Sequence, residues 1–292
     1  LTDRLLVSFC NQPRGDVLLA VADARTGRAE PVSTPELEHV AGATGLALSP
    51  DGETLYVALQ DVGEPARRWL RSGIAALAPD GLGVLYSHRL ERVIDIHSVA
   101  VTGEEELVVV STGTDELVRV CSRVGGVEEQ PVWRARRALT RRDRRHLNSV
   151  CAHAGTLLVS GFGAQSGKGW TTATDGFIVD VRAQRTLASG IRHPHSLVAI
   201  DDSIAYCESL AEGVATFGGL RVDGLPGYTR GLYVDEDSIY VGTSKRRHLE
   251  GAGDPGVCGV TKLGRHTLAV EWTLDLGDLA DEVYDVIPLP GG

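Results

Sequence analysis

The chain lacks any apolar run of about 18 residues, so it offers no helix able to span a bilayer. It also lacks a basic segment leading into an apolar stretch, as a signal peptide would have. No membrane partner is expected, and the cytosol is the expected location. Paired cysteines are missing too: Cys10, Cys121, Cys151, Cys207 and Cys258 are odd in number and never stand in a C-x-x-C spacing. That pattern indicates neither a zinc knuckle nor a disulfide scaffold, and points to reduced, mostly buried thiols. Positive charge is scarce, and the net charge of -10 works against a sequence-independent grip on phosphate backbones, which draws on clustered Lys and Arg. Nucleic acid is therefore not an expected partner. Seven arginines within residues 134–145 are a local exception, read as a solvated loop. The stretch Gly161–Lys168 has neither the Gly-Lys-Ser/Thr ending nor the following helical pattern of a phosphate loop. No flavin or nicotinamide fingerprint is present.

Turn and apolar material are abundant: 35 glycines and 42% hydrophobic residues suit a packed all-β protein better than a helical bundle. A small residue followed by alternating apolar positions recurs at Thr44-Gly45-Leu46, His97-Ser98-Val99, Asn148-Ser149-Val150, His195-Ser196-Leu197 and Arg230-Gly231-Leu232, with a weaker copy at Tyr284-Asp285-Val286. After each of the first five copies a turn leads into a second apolar run: Thr54–Leu59, Leu107–Ser111, Thr156–Ser160, Ser203–Cys207 and Ser238–Gly242. Each pair reads as a hairpin, and two further short strands complete a four-stranded unit, the blade of a propeller.

The sixth copy supplies one strand before the chain ends. Leu5–Phe9, Asp16–Ala22 and Ala29–Ser33 read as its missing three strands at the other terminus. The expected fold is thus an all-β six-bladed β-propeller, a single domain over residues 1–292, closed by N-terminal strands pairing with the C-terminal strand. Such closure removes open sheet edges.

In a propeller the innermost strands line the axis, so their starts meet at one mouth. Those starts carry Thr44, Asp95 with His97, His146 with Asn148, His193 with His195, Tyr228 with Arg230, and Tyr284. A spacing of two puts both members of a pair on one strand face. The turns between second and third strands add Glu208, Ser209 and Lys245, and the long Gly-rich connections fall on this rim, where binding sites concentrate.

His195 and His97 are the candidate proton carriers, with Glu208 as a candidate general base or, equally, a surface carboxylate. His97, Asn148 and His195 could together hold one divalent metal ion, or simply hydrogen-bond within a wet funnel. Arg230 and Lys245 suit an anionic substrate, although an internal salt bridge from Arg230 to Asp95 or Glu208 is the alternative. His146, His193, Tyr228 and Tyr284 complete the candidate substrate-binding set. Trp170 either closes over the ligand as a lid or packs against the outside of the third blade.

The motifs Arg145-His146-Leu147-Asn148-Ser149, Pro194-His195-Ser196, Leu225-Pro226-Gly227-Tyr228-Thr229-Arg230-Gly231 and Val241-Gly242-Thr243-Ser244-Lys245 resemble a bacterial propeller family catalogued as a domain of unknown function. The resemblance runs from about residue 90 to the end and implies the fold, not an activity. More distantly the architecture is similar to gluconolactonase, paraoxonase and strictosidine-synthase-like propellers, several of which hold calcium. The imidazole-rich and cationic set here departs from a calcium cage.

The leading expectation is an enzyme performing non-redox acid-base or metal-assisted chemistry on a small anionic substrate: cyclisation, elimination, isomerisation or hydrolysis. A non-catalytic propeller used for protein interaction or ligand sensing is the rival.

Overall fold

The computed structural model describes residues 4–60, 71–103, 106–135, 143–246 and 255–290. The apolar alternation seen in the sequence becomes six four-stranded antiparallel sheets. Their innermost strands are Gly42–Leu48, Ile96–Val101, Leu147–His153, Pro194–Ile200, Tyr228–Val234 and Val283–Pro288. Each touches the innermost strand of the next blade, and the last touches the first, so the sheets form a ring. The ring closes as expected: Arg4–Phe9 pairs with Val283–Pro288 in the register Leu5↔Pro288, Leu6↔Ile287 and Val7↔Val286. The third strand of that blade, read from the sequence as Asp16–Ala22, is shorter and runs Leu19–Asp23.

Adjacent blades are glued by apolar side chains from facing sheets. Leu6 and Leu19 meet Leu46, Leu55 and Val57 across the closure, while Tyr56, Ala58 and Ile74 meet Ile96, Val99 and Leu107 at the next interface. All five cysteines are free thiols; four are buried and Cys121 is partly so. Among the described residues no helix is long and apolar enough to cross a membrane. In the arginine-rich segment, residues 136–142 lie outside the described residues, as do most of the connections 60–72 and 243–256.

Two polar devices recur near the axis. In every innermost strand the ladder slips at the repeat motif, between Ala43 and Leu46, Ile96 and Val99, Leu147 and Val150, His195 and Val198, and Thr229 and Leu232, and opposite Ser8/Phe9 in the last strand. A β-bulge of this kind leaves a residue unpaired and re-aims its side chain.

The second device is a hydroxyl that donates to a carbonyl on the next blade's innermost strand. The bonds are Ser8 to Thr44 O at 2.6 Å, Thr44 to Ile96 O at 3.0 Å, Thr112 to Leu147 O at 2.6 Å, Ser160 to Pro194 O at 3.2 Å, Ser209 to Thr229 O at 2.6 Å and Ser244 to Val283 O at 2.9 Å. Every blade interface is therefore latched by a buried hydroxyl, which also gives the hydroxyl the partner that burial demands.

The blades approach so closely at the bulge that a side chain there is not always tolerated. A Cβ on Gly45 would lie 2.7 Å from Ser98 Cα and from Val99 N. Gly45→Ala is expected to lower the unfolding free energy in urea by about 1–3 kcal/mol through overpacking. Gly81→Ala, where an added Cβ meets nothing within 4 Å, should stay within about 0.5 kcal/mol of wild type.

Candidate functional site

The bulges place Thr44, His97, Asn148, His195, Arg230 and Tyr284 around the axis. Two residues earlier, at the mouth side, stand Asp95, His146, His193, Tyr228 and Glu282. The expectation that each pair shares one strand face needs correction. Asp95, His146 and His193 are in the left-handed region, with φ of 54°, 50° and 59°, so they turn out of the strand just before it begins. Non-glycine residues there carry local strain, and a built cluster holds all three.

His193 is stacked on Phe162, with ring centroids 3.9 Å apart. Its Nε2 donates to the Trp170 carbonyl at 2.8 Å, since a carbonyl can only accept, and its Nδ1 meets the Tyr228 hydroxyl, also at 2.8 Å. The Trp170 ring rests on His146 at 4.4 Å. Trp170 is thus folded onto the mouth histidines rather than onto the outside of the third blade. His146 Nδ1 meets Asp143 at 2.8 Å. Burial, aided by the charge of His97, drives His146 well below the ordinary imidazole range, and burial pushes the Asp143 carboxyl up to about 7.

His97 Nε2 faces Asp95 Oδ1 at 3.4 Å, and the other ring nitrogen, Nδ1, is buried with no hydrogen-bond partner. Burial acts to raise the Asp95 carboxyl, but His97 and His146 outweigh it and hold it low. His195 is 2% exposed and bonded through Nδ1 to Ser209 at 2.7 Å and to the His193 carbonyl at 3.2 Å. Burial first, then the charge of Arg230, keeps it well below the ordinary range, so it is neutral at pH 7.

Arg230 forms a salt bridge as the sequence allowed, but to Glu282 at 2.9 Å, not to Asp95 or Glu208. The guanidinium lies over the Tyr228 ring at 4.8 Å and the Tyr284 ring at 5.5 Å. Glu282 takes Nη1, while Nε is buried with no hydrogen-bond partner.

Arg230, Tyr228, Ser209, Lys245, Thr171 and Glu282 border a mouth cavity of about 380 Å³. His97, Asn148 and Tyr284 instead line a smaller space of about 120 Å³ further along the axis, with Ser98, Ser196 and Asp285. The predicted residues that line a cavity thus divide between two spaces, and His195 lines neither. His195 touches both groups, edge-on to Tyr228 at 5.6 Å and to Tyr284 at 6.4 Å.

Glu208 is not brought to this cluster. Its carboxylate binds Arg221 at 2.5 Å and the Arg192 backbone N–H at 3.2 Å, turning toward the outer strands of its own blade. Lys245 borders the mouth cavity but is paired with Asp281, and Arg246 beside it is paired with Glu212.

The candidate metal set fits poorly. Asn148 Oδ1 already accepts the Tyr284 hydroxyl at 3.2 Å, and a divalent ion would have to displace it. Among the described residues no group of three or more His, Cys, Asp or Glu is placed to hold a metal.

Glu282 escaped the sequence reading although it precedes Tyr284 by the same two residues that separate His193 from His195. Phe162 and Asp143, which hold the mouth histidines, lie in connections where periodicity is silent.

The depressed imidazoles make a stability statement. His146 and His195 refuse protons that the unfolded chain accepts near pH 6.5, so their contribution is full above about pH 6.5 and is lost as pH falls toward their folded values. His195→Gln is therefore expected to lose less unfolding free energy than wild type between about pH 7.5 and about pH 5, as read from urea midpoints. An equal loss in both proteins would contradict the burial argument.

The fold is shared widely among solved structures. A protein of unknown function from Bacteroides caccae superposes with a TM-score of 0.66 at 12% identity, each chain covered in full. A propeller in the nidogen/laminin complex gives 0.66 at 10% identity, covering 97% of each chain. The periplasmic gluconolactonase of Pseudomonas aeruginosa gives 0.60 at 14% identity, covering 98% of this chain and 99% of that one. No curated protein sequence matches. Residues 40–292, a span that includes all four motifs noted above, match the family described as Domain of unknown function (DUF4915), and the chain belongs to that family.

Proposed function

We propose that the funnel is the active site of a non-redox enzyme that binds a small anionic molecule at Arg230 and exchanges a proton with His195. The observation that carries this reading is the free edge of Arg230. Glu282 takes Nη1 only, leaving Nε and, beside it, Nη2 as a parallel pair of donors in a buried setting. Such a pair matches the two oxygens of a carboxylate or phosphate, and charge-assisted bonds of this kind are the strong ones. Asn148 Nδ2, also buried and without a partner, offers a further donor from the second space.

His195 supplies the acid-base function because it is neutral where an exposed imidazole would be partly charged. A neutral imidazole can take a proton from a substrate or from water, and a positioned base of this kind contributes about 10²–10⁴-fold. His97, backed by the Asp95 carboxylate, is the second proton carrier. Cyclisation, elimination, isomerisation and hydrolysis all need such a base. Hydrolytic ring opening is favoured among them by the shared fold of the gluconolactonase, whose name implies a lactone substrate. Tyr228 and Tyr284 hold the Arg230 plane, and His146 and His193, capped by Trp170, wall the mouth.

Ligand-observed NMR with a panel of small carboxylates, phosphates and lactones tests the binding half. Arg230→Gln should weaken any anion that binds by about 10-fold or more, the scale of a charged hydrogen bond. Turnover of a panel member should vanish in His195→Ala while circular dichroism stays unchanged. Anion binding indifferent to Arg230, or full turnover without His195, would remove the reading; tight binding with no product would assign the site to ligand sensing.

A further inference from the structure

We propose that Ser209 is a positioning residue that fixes His195 in the tautomer protonated on Nδ1, so that His195 enters the reaction as a base through Nε2. The inference rests on the funnel reading for its catalytic meaning, but the geometry that supports it is independent of any substrate.

Ser209 is fully buried and its hydroxyl has one proton to give. That oxygen lies 2.6 Å from the Thr229 carbonyl and 2.7 Å from His195 Nδ1. A carbonyl only accepts, so the hydroxyl proton goes to Thr229, and toward the imidazole Ser209 can only accept. The His193 carbonyl, 3.2 Å from the same nitrogen, makes the same demand. Both neighbours therefore require a proton on Nδ1, and in a neutral ring the electron pair is left on Nε2. When the reactant gives up its proton, that proton binds Nε2 and the bonding pair stays on the atom that held it. The resulting imidazolium keeps its Nδ1–H on Ser209 without reorganisation.

The plain alternative is that Ser209 is one more blade latch. Thr112 gives the measure of that role. It also opens a 3₁₀ turn, Thr112–Thr114 against Ser209–Ala211, and each turn ends in a left-handed residue. Its hydroxyl likewise donates to the next blade, at Leu147 O. Thr112 carries no imidazole, whereas Ser209 is the one latch among the described residues that does.

Long-range ¹⁵N–¹H correlation spectra of the labelled whole protein read the tautomer directly, with His195 assigned by loss of its signals in His195→Gln. At about pH 7 wild type is expected to show His195 protonated on Nδ1. Ser209→Ala, left with only the longer His193 contact, should lower the ratio of Nδ1–H to Nε2–H by about 5-fold or more. Ser209→Thr should restore it, because threonine already serves at the matching place in the second blade. Thr112→Ala should lower the melting temperature as Ser209→Ala does while leaving the His195 signals in place.

A wild-type His195 protonated on Nε2 overturns the inference, and so does a Ser209→Ala spectrum like wild type or an equal change in Thr112→Ala. The wild-type spectrum decides even if Ser209→Ala does not fold. Turnover surviving in His195→Ala would sink the enzymatic reading but leave the tautomer assignment standing, so the two failures are distinguishable.

Discussion

Pairing between the last strand and the first is the constraint on which the ring and its site both depend. Val283–Pro288 joins the two ends of the chain, and from that strand and the residue before it come three of the contacts that organise the axis. Glu282 holds Arg230, the Tyr284 hydroxyl holds Asn148, and the Asp285 carboxylate accepts the Leu46 backbone N–H at 2.9 Å. A non-local closure of this kind costs chain entropy before it returns any contact energy. Site assembly and ring closure are thereby one event: a chain with its last strand frayed has neither a held guanidinium nor a continuous ring.

Polar groups in the funnel are stabilised mostly by one another and by carbonyls. Burial removes charge from His146 and His195 and from the carboxyl of Asp143, while Arg230 keeps its charge beside Glu282. The mouth therefore combines hydrogen-bonded imidazoles with paired charges: Arg230 with Glu282, Lys245 with Asp281 and Arg246 with Glu212. In such a low-dielectric setting hydrogen bonds strengthen one another, and an unmatched donor is costly. The unmatched Nε of Arg230 and Nδ2 of Asn148 stand out against that background.

The repeat, the blade count and the closure were legible because alternation and small-residue motifs are local properties that sequence shows directly. His97, Asn148, His195, Arg230 and Tyr284 were legible for the same reason, since the motif marks the strand start. The bulge was not, because one extra residue leaves the apolar alternation on either side intact. Without it, the left-handed placement of Asp95, His146 and His193 is invisible, and period-two logic gives the right neighbours for the wrong geometric reason. Glu208 shows the opposite limit. Its partners are Arg192, in the bend before the innermost strand, and Arg221, on the outermost strand of the blade, and only the three-dimensional register reveals that the strand end turns away from the axis. Alternation held the hint, as Cys207 next to it is fully buried in the interblade core.

The placement of Arg230 over two phenol rings has a thermodynamic consequence. An arginine on a surface surrenders about 2 kcal/mol of rotamer freedom when it is fixed, whereas this one is already immobilised by Tyr228, Tyr284 and Glu282. An incoming guest would meet a rigid receptor whose ordering was completed during folding, so discrimination among guests would fall on shape and oxygen spacing rather than on how well each can organise a floppy host.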